Sequence, residues 1–161
     1  TMPDLTSLGR CVGELLKERN ETVAVAESST GGLISAALLS LPGASAYFVG
    51  GGVIYTRYAR AGLLMVPEID MTVRGSTESY ALKMASLIKG RLNTTWGLSE
   101  SGATGPSGNR YGDAPGHSCI AIAGPVQAAT TVETGDSDRE TNMWAFTKAA
   151  LVLLECNLRQ G

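Results

Sequence analysis

The stretch Ala24-Val25-Ala26-Glu27-Ser28-Ser29-Thr30-Gly31-Gly32 constrains the fold more than any other part of the chain. An apolar run breaks into two serines, a threonine and paired glycines, then resumes as an amphipathic run. That pattern predicts a buried strand at Thr22–Ala26, a turn, and a helix from about Gly31 to Ser40. The glycines lack the Cβ that would block close approach. Ser28 then sits at a sheet edge, where its hydroxyl faces the unpaired N–H groups of the next helix, a place suited to an oxyanion or a phosphate. On this stretch alone a helix cap and glycine turn with no chemistry is the reading to prefer, and the lysine of a phosphate-binding P-loop is missing.

With 161 residues, 43% of them apolar and 17% charged, the chain suits one core, and we read residues 1–161 as a single domain. A formal charge of −2 gives no general attraction to nucleic acid or anionic membranes, and neither is expected as a partner. Asp4 and its polar neighbours do not resemble a secretory leader, and no apolar run reaches membrane-spanning length, so a cytoplasmic protein is expected. Cys11, Cys119 and Cys156 are odd in number and far apart, which predicts free thiols. His117 is the only histidine, so no metal site of ordinary type is expected.

Leu5, Leu8, Val12, Leu15 and Leu16 recur at helical spacing after Asp4 and Thr6, predicting an opening helix that ends near Asn20. Pro42-Gly43 stops the second helix. A strand over Ala46–Tyr55 is interrupted by Gly50, Gly51 and Gly52, which marks a bulge or a close approach of ligand or backbone. Arg57–Leu64 reads as a short helix closed by Pro67, its Arg57 and Arg60 being either site cations or a solvated face. Ser76 offers an N-cap for a helix reaching Asn93, with Tyr80, Met84, Leu87 and Ile88 as core. Thr95–Ser101 is the next strand. The glycine-dense loop Gly102–Gly116 follows; its N–H groups with Thr104, Ser107 and Arg110 can cradle a phosphate, or it is a plain surface loop. A hairpin of Ser118–Ala123 and Ala128–Thr134 leads to a helix over Arg139–Asn157, with Trp144, Phe146, Ala150, Leu151 and Leu154 buried. This order predicts a three-layer α/β/α sandwich around a mixed, mostly parallel sheet of about five strands. Ser28, the Tyr55 strand end and the glycine loop can meet on one edge of it.

Four motifs in order, Ala26-Glu27-Ser28-Ser29-Thr30-Gly31-Gly32, Pro42-Gly43-Ala44-Ser45-Ala46-Tyr47-Phe48, Gly51-Gly52-Val53-Ile54-Tyr55 and Ser101-Gly102-Ala103-Thr104-Gly105-Pro106, resemble the CinA C-terminal domain family, which includes bacterial nicotinamide mononucleotide deamidases. The resemblance covers nearly the whole chain. It implies a three-layer fold, homo-oligomers, and amide hydrolysis of nicotinamide mononucleotide to the nicotinate form and ammonia without metal or organic cofactor. By position, Ser28 matches the nucleophile, Tyr55 the active-site tyrosine and Arg60 the catalytic lysine. An arginine cannot act as a base at neutral pH, although it can bind a phosphate or an oxyanion. Further departures are Thr56-Arg57-Tyr58 after Tyr55, Ser29 in place of a cysteine, Thr104 in place of alanine, Ser137-Asp138-Arg139 in place of Gly-Asp-Arg, Met143 in place of a second arginine, and the insertion-like Asn109-Arg110-Tyr111.

The expected catalytic residues are therefore Ser28, Tyr55 and Arg60, with N–H groups near Thr30 to Gly32 as the oxyanion site. The expected ligand contacts are Ser29, Thr30, Gly31, Gly32, Gly102, Thr104, Gly105, Arg110 and Arg139, around a small phosphorylated nucleotide or amide. His117 is the one side chain whose ordinary pKa suits a general base, yet a histidine at a strand start commonly has a structural role. The alternative to an amidase is a nucleotide-binding or partner module that has lost the chemistry at Arg60.

Overall fold

The computed structural model describes residues 4–66 and 73–161. Helix α1 (Leu5–Arg19) leads to strand β1 (Val23–Glu27), helix α2 (Leu33–Leu39), a 3₁₀ turn at Ala44–Ala46 and strand β2 (Phe48–Val53). Helices α3 (Arg57–Leu64) and α4 (Glu78–Leu92) follow, then strands β3 (Trp96–Ala103), β4 (His117–Ala123) and β5 (Ala128–Glu133), and helix α5 (Arg139–Gln160).

The strands form one sheet in the order β2-β1-β3-β4-β5. Strand β1 pairs in parallel with β2 and β3, while β4 is antiparallel to both its neighbours, so β4 alone runs against the rest. Helices α1, α2 and α5 pack together on one face and α4 covers the other, with α3 beside it. The predicted three-layer architecture is the observed one.

Strand alternation sorts the core. Val23 and Val25 join Leu16, Ile34, Leu98 and Leu154 on the α2 side, whereas Ala24 and Ala26 join Tyr80, Met84 and Ile88 on the α4 side. Trp96, Leu98 and Glu100 share the parity of Val23, Val25 and Glu27 relative to the paired strands, which turns both glutamates toward α2.

Several boundaries are corrected by local chemistry. Ser76 does not cap α4: it adopts φ +56°, and the Thr77 hydroxyl accepts from the Tyr80 N–H at 3.2 Å instead. Gly32 serves by conformation rather than by close approach, since φ is +104° there and an added Cβ would meet nothing nearer than Val53 at 3.9 Å. Both readings of the β2 glycines hold. Pairing slips between Val23 and Ala24, and a Cβ on Gly51 would lie 2.8 Å from the Val25 carbonyl. Trp144 is half-buried, unlike Phe146, Ala150, Leu151 and Leu154, which are buried. Helix α3 spans the predicted residues, and Pro67 lies outside the described residues. Among the described residues no helix is long and apolar enough to cross a membrane.

Candidate functional site

Parallel strands β1, β2 and β3 open their C-terminal ends onto one rim, the usual place for ligands in open α/β sheets. A cavity of about 400 Å³ lies there. Ser28 enters it from the turn after β1, Tyr55 from the segment after β2, Arg57, Tyr58 and Arg60 from α3, and Ser101 and Gly102 from β3. Ser76 and Tyr80 close it from the start of α4, and Asn109, Arg110 and Tyr111 from the glycine loop. Among the described residues, no group hydrogen-bonds the Ser28 hydroxyl.

Two buried carboxylates stand behind the serine turn, with Glu27 1% and Glu100 2% exposed. Glu27 accepts from the N–H groups of Gly32 (3.1 Å), Ile34 (3.0 Å) and Ser35 (2.9 Å) and from the Thr30 hydroxyl (2.7 Å). It therefore caps α2 and occupies the end that the sequence offered to an external anion. Glu100 accepts from the Ser28 N–H (2.9 Å), the Thr30 N–H (3.0 Å), the Ser29 hydroxyl (2.5 Å) and the Thr30 hydroxyl (2.9 Å). Ser118 adds a longer contact at 3.4 Å. This corrects the proposed oxyanion site. The Thr30 and Gly32 N–H groups are held by the two glutamates, and that of Gly31 donates to the Ser28 carbonyl at 3.2 Å.

The opposite wall carries cations and rings. The Arg60 guanidinium lies 5.2 Å from the Tyr80 ring centre, and Arg57 lies 5.3 Å from that of Tyr58. Arg74 and Arg110 both stack on Tyr111, at 4.5 and 5.0 Å. Among the described residues neither Arg60 nor Arg110 pairs with a carboxylate, whereas Arg74 pairs with Asp113. Burial pushes the Tyr80 phenol up in pKa, against the opposing effect of Arg60. The hydrogen bond from Arg110 holds the Tyr111 phenol down, although burial works the other way.

Of the expected residues, the cavity thus brings together Ser28, Tyr55, Arg60, Gly102 and Arg110. Ser29 and Thr30 are buried under Glu100, and Thr104 offers its carbonyl to Asn142 at 2.7 Å. Arg139 donates to the Gly105 carbonyl (2.6 Å) and to the Tyr55 hydroxyl (3.1 Å), so it braces Tyr55 instead of lining the cavity. His117 is also outside the cavity. Its Nδ1 contacts Glu133 and its Nε2 donates to the Ser76 carbonyl at 2.8 Å, with Asp113 at 3.8 Å. Burial opposes its charge, but Glu133, the Ser76 carbonyl and Asp113 outweigh it and raise the pKa. Among the described residues no group of three or more His, Cys, Asp or Glu side chains can hold a metal ion.

Sequence reasoning overlooked Glu27 and Glu100, took Tyr80 as core alone, and treated Tyr58 and Tyr111 only as departures from a motif. A signal was present for the glutamates. Val23-x-Val25-x-Glu27 and Trp96-x-Leu98-x-Glu100 each continue an apolar strand face into a carboxylate, which is a buried position by alternation.

The family model described as CinA C-terminal domain matches residues 5–158. A CinA-like protein of a Nostoc species is 44% identical over 120 residues, covering 74% of this chain and 28% of that protein. A CinA-like protein of a Synechocystis species is 39% identical over 142 residues, covering 88% of this chain and 34% of that protein. The chain spans about a third of the length of these relatives. Among solved structures, the competence/damage inducible protein CihA of Agrobacterium tumefaciens superposes with a TM-score of 0.87 at 28% identity, covering 99% of this chain and 98% of that one. A CinA superfamily protein of Klebsiella pneumoniae gives a TM-score of 0.90 at 22% identity over 99% and 100%, a likeness of fold.

Proposed function

The chain belongs to the CinA C-terminal domain family, and from that premise we propose that its rim cavity binds a small phosphorylated nucleotide amide of the nicotinamide mononucleotide class. The observation that carries this reading is the convergence of Arg57, Arg60 and Arg110 with Tyr55, Tyr58, Tyr80 and Tyr111 on one cavity of about 400 Å³. Guanidinium groups suit phosphate oxygens, and tyrosine faces suit a flat pyridine ring. Ser28 stands at the other wall, where the amide carbon of such a ligand would lie.

Hydrolysis at that carbon is the second reading, favoured by Ser28, which lines the cavity and whose hydroxyl has no hydrogen-bond partner among the described residues. Its oxygen would attack the amide carbonyl, ammonia would leave as the C–N bond breaks, and water would then cleave the acyl ester. The serine proton needs an acceptor. Arg60 cannot take it, and His117 is engaged elsewhere with both ring nitrogens. The α2 N–H groups are likewise unavailable to the oxyanion. Binding with little or no turnover is therefore the function that the geometry supports best.

Ammonia release from nicotinamide mononucleotide, measured beside equilibrium binding of the same compound, separates the two readings. Saturable binding without ammonia, and ammonia appearing in Arg60→Lys, is the expected result. Ammonia release by the unaltered chain that Ser28→Ala abolishes establishes hydrolysis, and no binding at millimolar ligand overturns both.

A further inference from the structure

Glu100 is deeply buried, and the five polar contacts around its carboxylate come from groups that can donate: the N–H of Ser28, the N–H and hydroxyl of Thr30, and the hydroxyls of Ser29 and Ser118. Three consecutive residues of the turn after β1 thus converge on one acceptor-only group. Among the described residues no cation neutralises it. A buried carboxylate without a counter-charge is held only by such donors, so the turn and the carboxylate fix each other. The Thr30 hydroxyl, with one proton, also touches Glu27 at 2.7 Å and links the turn to the cap of α2.

We propose that Glu100 is the positioning residue for Ser28: by gripping Ser28, Ser29 and Thr30 together it keeps the Ser28 hydroxyl turned into the cavity while its own charge stays behind the backbone. The proposal rests on the reading that Ser28 faces the ligand, but its test needs no ligand. Glu100 sits on β3 and Ser28 directly after β1, so the tie joins two paired strands.

The test uses a thiol as reporter. In the 161-residue chain carrying Cys11→Ser, Cys156→Ser and Ser28→Cys, alkylation by iodoacetamide is followed against pH, with Cys119 shielded by burial. The carboxylate behind the turn disfavours the thiolate, so adding Glu100→Gln, which keeps the shape and removes the charge, is expected to lower the midpoint by on the order of half to one pH unit. Ser29→Ala, which keeps the charge and removes the 2.5 Å tie, is expected to change the high-pH alkylation rate several-fold as the turn loosens. It also serves as the readout if Glu100→Gln does not fold. An unchanged midpoint in folded Glu100→Gln, or an unchanged plateau rate in Ser29→Ala, overturns the proposal. Because neither readout involves a nucleotide, failure of the binding reading leaves both intact.

Discussion

The two walls of the cavity are built on opposite principles. The wall formed by the turn after β1 is buried and negatively charged, and its N–H groups at Ser28, Thr30, Gly32, Ile34 and Ser35 are committed to Glu27 or Glu100. The wall formed by Tyr55, α3 and residues 109–111 is exposed, positive and aromatic, with Tyr58 at 75% exposure and Tyr55 at 57%. A wall whose polar groups satisfy one another holds geometry and has little left for a ligand. A wall whose arginines stack on rings suits an anion, and the phosphate contacts of the proposed function lie there. Position and affinity are thus assigned to different elements.

The sharpest way to break this contrast is Glu27→Leu. It strips the acceptor from the N–H groups of Gly32, Ile34 and Ser35 at the start of α2 and leaves the Thr30 hydroxyl only Glu100, and is expected to cost about 3–5 kcal/mol of stability in urea unfolding. A cost below about 1 kcal/mol would mean that the buried wall is not self-supporting.

Next in size, Arg60→Ala and Arg110→Ala are each expected to weaken nicotinamide mononucleotide binding by about tenfold or more, the scale of a hydrogen bond to a charged group. Stability should change by no more than about 1 kcal/mol, since Arg60 loses only its contact with the Tyr80 ring and phenol, and Arg110 only its stacking on Tyr111 and one exposed hydrogen bond to that hydroxyl at 2.9 Å. Equal affinity in the variants and the unaltered chain would remove the exposed wall from recognition.

A smaller effect is expected at His117, outside the cavity. His117 ties the Ser76 carbonyl to Glu133 and approaches Asp113, which also holds Arg74 and Asn109 beside the glycine-loop wall. Its folded pKa is raised, so its contribution is complete below the unfolded value of about 6.5 and is lost as pH rises through the folded value. Thermal unfolding midpoints should decline over that window in the unaltered chain, and His117→Gln should flatten the decline. A profile that keeps its slope in the variant assigns the decline to another group. The smallest change in the fold is expected from Tyr58→Ala, which should alter stability by less than about 0.5 kcal/mol while lowering ligand affinity several-fold.

Most of the fold was legible because strand and helix periods are written in runs such as Val23–Glu27 and Glu78–Leu92. The rim was legible too, since Ser28, Tyr55 and Gly102 all follow or end parallel strands. The fate of the α2 N–H groups was not. A glycine turn before a helix looks like an open anion site whether or not a carboxylate from the preceding strand has already filled it. Parity of Glu27 with Val23 and Val25 was the clue. The aromatic wall was hidden for a different reason: Tyr80 at helical core spacing is at once core and lining, and Tyr111 lies in a loop without a period.

The claim that the exposed wall reads a phosphate is tested most directly by calorimetric titration of the chain with nicotinamide mononucleotide and, separately, with the riboside that lacks the phosphate. A phosphate-reading wall gives saturable one-site binding of the nucleotide and at least tenfold weaker binding of the riboside, with Arg60→Ala and Arg110→Ala erasing the difference. Equal affinity for the two compounds, or a difference that survives both substitutions, would contradict it.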